Sequence, residues 1–155
     1  VTAPPPPPLE FLTELNVTVD PPVDGGPAPT GHRRIVPITG GTMVGPALNG
    51  TVLPGGADFQ VLHSPELTEL DARYIIQADD GALIHVHNNA LRHGSAADIA
   101  RLNRGEEVDP GAIYFRCSLR FSTASEEWAW LNHVIAVGTG ERYPDSVRIA
   151  VFIVR

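Results

Sequence analysis

Lysine is missing from this 155-residue sequence, and all 11 basic side chains are arginine. That excludes Schiff-base chemistry, a lysine general base and the lysine of a phosphate-binding loop. Cysteine is nearly missing as well, and the single thiol, Cys117, cannot form an internal disulfide. An excess of positive charge is also lacking. The 18 acidic residues outnumber the arginines and give a formal charge of -7. This argues against nucleic-acid binding and against docking on anionic lipid. No run reaches the roughly 18 apolar residues of a membrane-spanning helix. The first residues carry neither the basic nor the apolar segment of a secretory signal, so a cytoplasmic location is the default expectation. No Rossmann glycine fingerprint, phosphate loop or G-x-S-x-G elbow occurs, so the expected chemistry uses no cofactor.

Turn residues are what the sequence has in abundance. Fifteen glycines and 15 prolines separate short runs rich in Val, Ile, Thr and aromatics, a pattern of many short strands. The hydrophobic share of 43% supplies a core for one domain. Residues 1–8, with Pro4 to Pro8, read as a polyproline arm, and residues 9–155 as the domain. The arm is taken as a frayed terminus, with a docking arm or homodimer contact as the alternative.

Leu9 to Val19 alternates, with Leu9, Phe11, Leu15, Val17 and Val19 on one face. Residues 20–30 read as a Pro/Gly loop. Strands follow over His32 to Thr39, ended by Gly40-Gly41, then over Met43 to Leu53 and Asp58 to His63. Asp80-Gly81 predicts a two-residue hairpin loop between strands at 72–79 and 82–88. That loop pairs Asp79 with Ala82. It places Arg73, Ile75 and Gln77 on one face with Ile84, Val86 and Asn88, and Tyr74 on the other. Both faces are half apolar, so the inward one is left open. Ser95 caps one short helix that ends at Gly105. Strands over 113–121, 128–137 and 146–154 complete an all-β fold, an antiparallel β-barrel of about eight to nine strands with one short helix.

Several residues could do chemistry. Asp58, just after Gly55-Gly56 at a strand start, is a candidate general base; the alternative is a turn carboxylate accepting local N–H bonds. Tyr74 is a candidate proton donor. Arg33 and Arg116 are candidates for holding an oxyanion, and Arg73 and Arg142 for contacting a ligand; the plain alternative is exterior charge. Trp128, Trp130 and Asn132 share one parity and could form an aromatic wall with an orienting amide, or simply fill the core. Asn88 and Glu141 complete the ligand-binding set, with Glu141-Arg142 as a loop-closing ion pair in the alternative reading. His85 and His87 have ligand-like spacing without a fixed third partner, so no metal is expected.

Several segments together carry a resemblance. Gly40-Gly41-Thr42-Met43-Val44-Gly45-Pro46 leads through Gly50 to Val52-Leu53-Pro54-Gly55-Gly56-Ala57-Asp58. Asp71-Ala72-Arg73-Tyr74, Asp79-Asp80-Gly81-Ala82, Tyr114-Phe115-Arg116, Trp130-Leu131-Asn132 and Gly138-Thr139-Gly140-Glu141-Arg142 follow in order. From about Leu9 onward the chain resembles the DUF3237 family, also called the UPF0311 proteins. The resemblance implies an antiparallel β-barrel. Some members sit among small-molecule metabolic genes, which favours an enzyme, but no catalytic residue is carried over. This chain departs from the family at Asn88-Asn89-Ala90, where Asn-x-Gly is common, and in His85, His87 and the proline arm.

The expected function is a cofactor-independent enzyme of isomerase, cyclase or lyase type. It would act by general acid–base chemistry on a small carbonyl-containing metabolite inside the barrel. A non-catalytic small-molecule carrier is the alternative.

Overall fold

Short alternating runs bounded by Gly and Pro cannot bury both faces alone, so they must pair. The computed structural model describes residues 1–155. In chain order the strands are β1 (Leu9–Val19), β2 (Val23–Ala28), β3 (Gly31–Val44), β4 (Gly50–Val52), β5 (Ala57–Leu62), β6 (Leu67–Ala78), β7 (Leu83–His93), β8 (Tyr114–Thr123), β9 (Ile135–Arg142) and β10 (Ser146–Val154). One helix, α1 (Ala96–Asn103), lies between β7 and β8. Eight strands close an antiparallel barrel in the order β1-β10-β9-β8-β7-β6-β5-β3, and β3 returns to β1. β2 extends β3, and β4 bridges β3 and β6. The all-β barrel with one short helix is therefore as expected. No helix is long and apolar enough to cross a membrane.

The interior is filled by one parity of each strand. Phe115, Cys117, Leu119 and Phe121 of β8 face inward, as do Ile149, Val151 and Ile153 of β10. Fully buried side chains such as Ile76, Ile84 and Leu119 each contribute about 1.5–3 kcal/mol by leaving water. Ser95 caps α1 by accepting the Asp98 N–H at 3.1 Å. Ile99 and Leu102 pack with Val108 in a small satellite core beside Ile113.

Five local expectations need correction. The first is the β6–β7 hairpin. Its loop has three residues, not two: Ala78 N–H donates to Ala82 O at 2.9 Å, and Gly81 takes φ +89°. A type I turn closed by a left-handed glycine explains the extra residue. The register becomes Gln77 opposite Leu83 and Tyr74 opposite Val86. A slip of one residue exchanges the faces, so Tyr74 and Ile76 point inward with Ile84, Val86 and Asn88, and Arg73 points out.

The second is at Gly40-Gly41. β3 is not broken there but runs on, leaving β5 and joining β1 and β4. The third is residues 20–30, which include β2 and are not all loop. In the fourth, Trp128 to Val137 is not one strand. A 3₁₀ turn occupies Ala129–His133, and β9 begins after it. A bulge between Phe11 and Thr13 also turns Leu9 and Phe11 outward, against the parity expected for β1.

Residues 1–8 lie outside every strand and are exposed; Pro8 only accepts the Arg155 N–H at 3.0 Å. Deleting residues 1–7 is expected to change stability by less than about 1 kcal/mol. Urea denaturation of the shortened chain checks this, and a larger loss would mean that the arm packs.

Candidate functional site

β5 is short and wedged between β3 and β6, and its alternation turns Asp58 and Gln60 inward. Gly56, just before it, serves packing rather than a ligand. A Cβ there would lie 2.5 Å from Arg73 O and 2.6 Å from Tyr74 Cβ. The missing side chain thus lets β5 approach β6 closely enough to set Asp58 near Tyr74.

Asp58 is buried, and each of its oxygens accepts one bond from a neutral donor. Its Oδ1 accepts the Asp71 N–H at 3.1 Å, and its Oδ2 accepts Gln60 Nε2 at 2.8 Å. Gln60 is itself held from behind. Its Oε1 accepts Arg34 Nε at 3.2 Å and Nη2 at 2.9 Å, while Arg34 Nη1 donates to Asn103 O at 3.3 Å. A chain of hydrogen bonds therefore runs from the end of α1 through Arg34 and Gln60 to Asp58. The orientation of the Gln60 amide follows from it, because only its oxygen can meet the guanidinium.

These residues line a cavity toward the α1 end of the barrel. Asp58, Gln60, Tyr74, Asn88, Arg92 and Arg142 supply its polar groups, and valines and isoleucines of β1, β3 and β10 supply most of its apolar lining. The free space, counted as room for water centres, is about 40 Å³. That exceeds the minimum of roughly 10–15 Å³ for one water. Tyr74 Oη, Asn88 Oδ1 and Arg92 Nε are all buried without a hydrogen-bond partner. Native interiors rarely leave such groups unsatisfied.

Burial controls the ionisation of the site. Loss of hydration pushes the Asp58 carboxyl above its ordinary range, although Gln60, Arg92 and the Asp71 N–H oppose the shift. Arg92 is pushed down to about 10 by burial and so stays a cation at neutral pH. Burial raises the Tyr74 phenol, which stays neutral. Cys117, in the core beside the cavity, is raised to about 11 by burial and is an unreactive thiol.

Of the residues singled out from sequence, Asp58, Tyr74, Asn88 and Arg142 line the cavity. The others sit elsewhere. Arg33 points outward and donates to Thr30 O at 2.9 Å. Arg116 points outward over the Tyr114 ring. Arg73 pairs with Asp71 on the outer face. Trp128 donates to Asp80 at 2.9 Å, Trp130 lies under the Arg155 guanidinium, and Asn132 binds both backbone groups of Thr123. Trp128 immediately precedes the 3₁₀ segment, and Trp130 and Asn132 lie within it; all three sit near the β6–β7 turn, outside the cavity lining, and form no wall. Glu141 bonds Tyr143 and Arg148, not Arg142. His85 is exposed, and His87 bonds Asp71 at 2.8 Å on the outside.

Replacing Arg33 or Arg116 with alanine is accordingly expected to change stability by no more than about 0.5 kcal/mol. Denaturation midpoints check this, and a large loss would show a structural role for the outer face.

Arg34, Gln60 and Arg92 are the site residues that the sequence reading missed. Arg34 shares parity with Val36 and Ile38, and Arg92 with Ile84, Val86 and Asn88. Parity would have found Arg92 had the strand been carried past Asn88.

Comparison with known proteins matches residues 7–154 to a family described as a protein of unknown function, DUF3237. The chain belongs to the DUF3237 family. A UPF0311 protein of Rhodopseudomonas palustris is 41% identical over 142 residues, covering 92% of this chain and 93% of its own. The crystal structure of a conserved R. palustris protein of unknown function superposes with a TM-score of 0.91 at 37% identity, covering 99% of this chain and 100% of that one. More distant similarity reaches enzymes. The hydroalkoxylation enzyme phnH of Penicillium herquei is 33% identical over 136 residues, covering 88% of this chain and 76% of its own. A crystal structure of an enzyme from P. herquei superposes at a TM-score of 0.70 and 27% identity, covering 97% of this chain and 98% of that one. The barrel of this chain is thus similar to that of a fungal enzyme.

Proposed function

We propose that this protein is a cofactor-independent enzyme that moves a proton within a small substrate bound in the barrel, as an isomerase, cyclase or lyase. The observation that carries the reading is a buried carboxyl of raised pKa in the same cavity as Arg92, a guanidinium that donates to no protein group. A carboxyl tuned toward neutrality is both a better base when ionised and a usable acid when protonated. Asp58 takes the role of proton carrier. Arg92 and Arg142 stabilise oxygen charge that develops during reaction, and Tyr74 and Asn88 orient the substrate oxygen.

The relation to a hydroalkoxylation enzyme suits this assignment. Adding an alcohol O–H across C=C takes a proton from oxygen, forms a C–O bond and returns a proton to carbon. The π pair ends in the new C–H bond, and nothing is oxidised or reduced. One carboxyl can accept the first proton and deliver the second.

The mostly aliphatic walls also suit a carrier that holds a ligand unchanged, and one experiment separates the two. Purified protein is incubated with a metabolite extract and followed by mass spectrometry, beside Asp58→Asn. The enzyme reading expects a compound to disappear with wild type only, replaced by an isomer of equal mass or by two fragments. A compound that is retained and recovered unchanged by both proteins supports the carrier instead.

A further inference from the structure

We propose that the substrate of this cavity carries a carboxylate, held as a monoanion by the guanidinium forks of Arg92 and Arg142 beside Asp58. The proposal rests on the enzyme reading above, since it names the chemical class that such an enzyme would bind.

Charge inside the barrel is out of balance. Three arginines, Arg34, Arg92 and Arg142, act on one buried carboxylate, Asp58. Arg34 is satisfied by Gln60 and Asn103. Asp58 forms no ion pair, and its oxygens are taken by Gln60 and the Asp71 N–H. Arg92 is left with only the face of Phe115, at 5.7 Å from the ring centroid. The residue is 1% exposed, and its Nε has no acceptor. Arg142 donates one bond, from Nη1 to Ser146 O at 3.2 Å. Two cations thus face one cavity with donors to spare.

A buried cation without an acceptor opposes folding, and replacing it with an apolar side chain usually stabilises a protein. Retention of Arg92 at such a position is accounted for by an acceptor that arrives with the ligand. Two facts select a carboxylate. Its planar pair of oxygens matches a guanidinium fork, with two parallel N–H···O bonds. Beyond the polar groups the walls are aliphatic apart from Phe115, and the free space is small. That combination suits one compact anionic head on an apolar body, not a doubly charged tetrahedral phosphate.

Calorimetric titration with acetate and with neutral acetamide, small enough for this cavity, in chloride-poor buffer at neutral pH, tests the proposal. Wild type is expected to bind acetate at least about tenfold tighter than acetamide. Arg92→Met is expected to lose that preference while its melting temperature holds or rises. Arg142→Met should weaken acetate in the same direction, and it decides the matter if Arg92→Met does not fold. Asp58→Asn should bind acetate as well as wild type or better, because a nearby acidic group is gone. Equal binding of acetate and acetamide would overturn the proposal. So would tighter binding of inorganic phosphate than of acetate, or an Arg92→Met protein that folds and keeps the preference. The two readings fail separately. Activity that depends on Asp58 without anion preference removes the carboxylate and leaves the enzyme. Acetate binding through Arg92, in a protein whose activity ignores Asp58, does the reverse.

Discussion

Asp58→Asn is expected to fold, to keep its ligand and to lose turnover by about 10²-fold or more, the usual scale for a missing general base. The substitution preserves shape and removes proton acceptance. One contact is disturbed. Gln60 presents its amide nitrogen to Asp58 because Arg34 occupies its oxygen, so an asparagine meets a donor with either its oxygen or its own nitrogen. Circular dichroism and denaturation separate that local cost from the catalytic loss. Turnover within a few-fold of wild type would remove Asp58 from the chemistry.

The same variant yields a pH signature. Burial raises the folded-state pKa of Asp58 above the ordinary 3.8, so the folded protein keeps a proton that the unfolded chain releases. The stability this contributes is fully present below the unfolded value and is lost as pH rises through the folded pKa. Asparagine has no such dependence. The stability of wild type minus that of Asp58→Asn should therefore decrease as pH is raised from about 4 toward neutrality. Urea denaturation across that range measures the difference. A flat difference would show an ordinary carboxyl at Asp58.

Gly41→Ala should be among the most damaging single-methyl additions in the barrel. Gly41 pairs with Val17 on one side and Val52 on the other, where β3 leaves β5 and closes the barrel on β1. Its φ is +146°, and an added Cβ would lie 2.2 Å from Asn16 O, a backbone atom that cannot swing aside. Strain at such a φ costs about 1–3 kcal/mol, and overpacking about 1–3 kcal/mol more. The expected loss, roughly 2–6 kcal/mol, is large against a typical stability of about 5–15 kcal/mol. The denaturation midpoint should fall with the slope unchanged. A shift within 0.5 kcal/mol or so would mean that β1 and β3 can part without cost.

The sequence by itself determined the alternation along β8 and β10, the cap at Ser95, the turn residues that enforce many short strands, and a carboxylate at the start of β5. Each is a local property of φ, ψ and side-chain period, readable within ten residues or so. Which face of a strand looks inward was not local. In the β6–β7 hairpin it depended on whether the loop held two residues or three, and both faces were apolar enough to be the core. Barrel closure chose the register that buries Ile76, Ile84 and Val86. That choice sent Tyr74 and Asn88 into the cavity and Arg73 out to Asp71. The site's charge was decided the same way. Arg33 and Arg34 are neighbours in sequence, and so are Arg92 and the exposed His93, yet one of each pair is interior. Period two divides adjacent residues between the faces, but only the closed barrel sets which face loses its water, and with it the pKa of Asp58 and the unmet donors of Arg92.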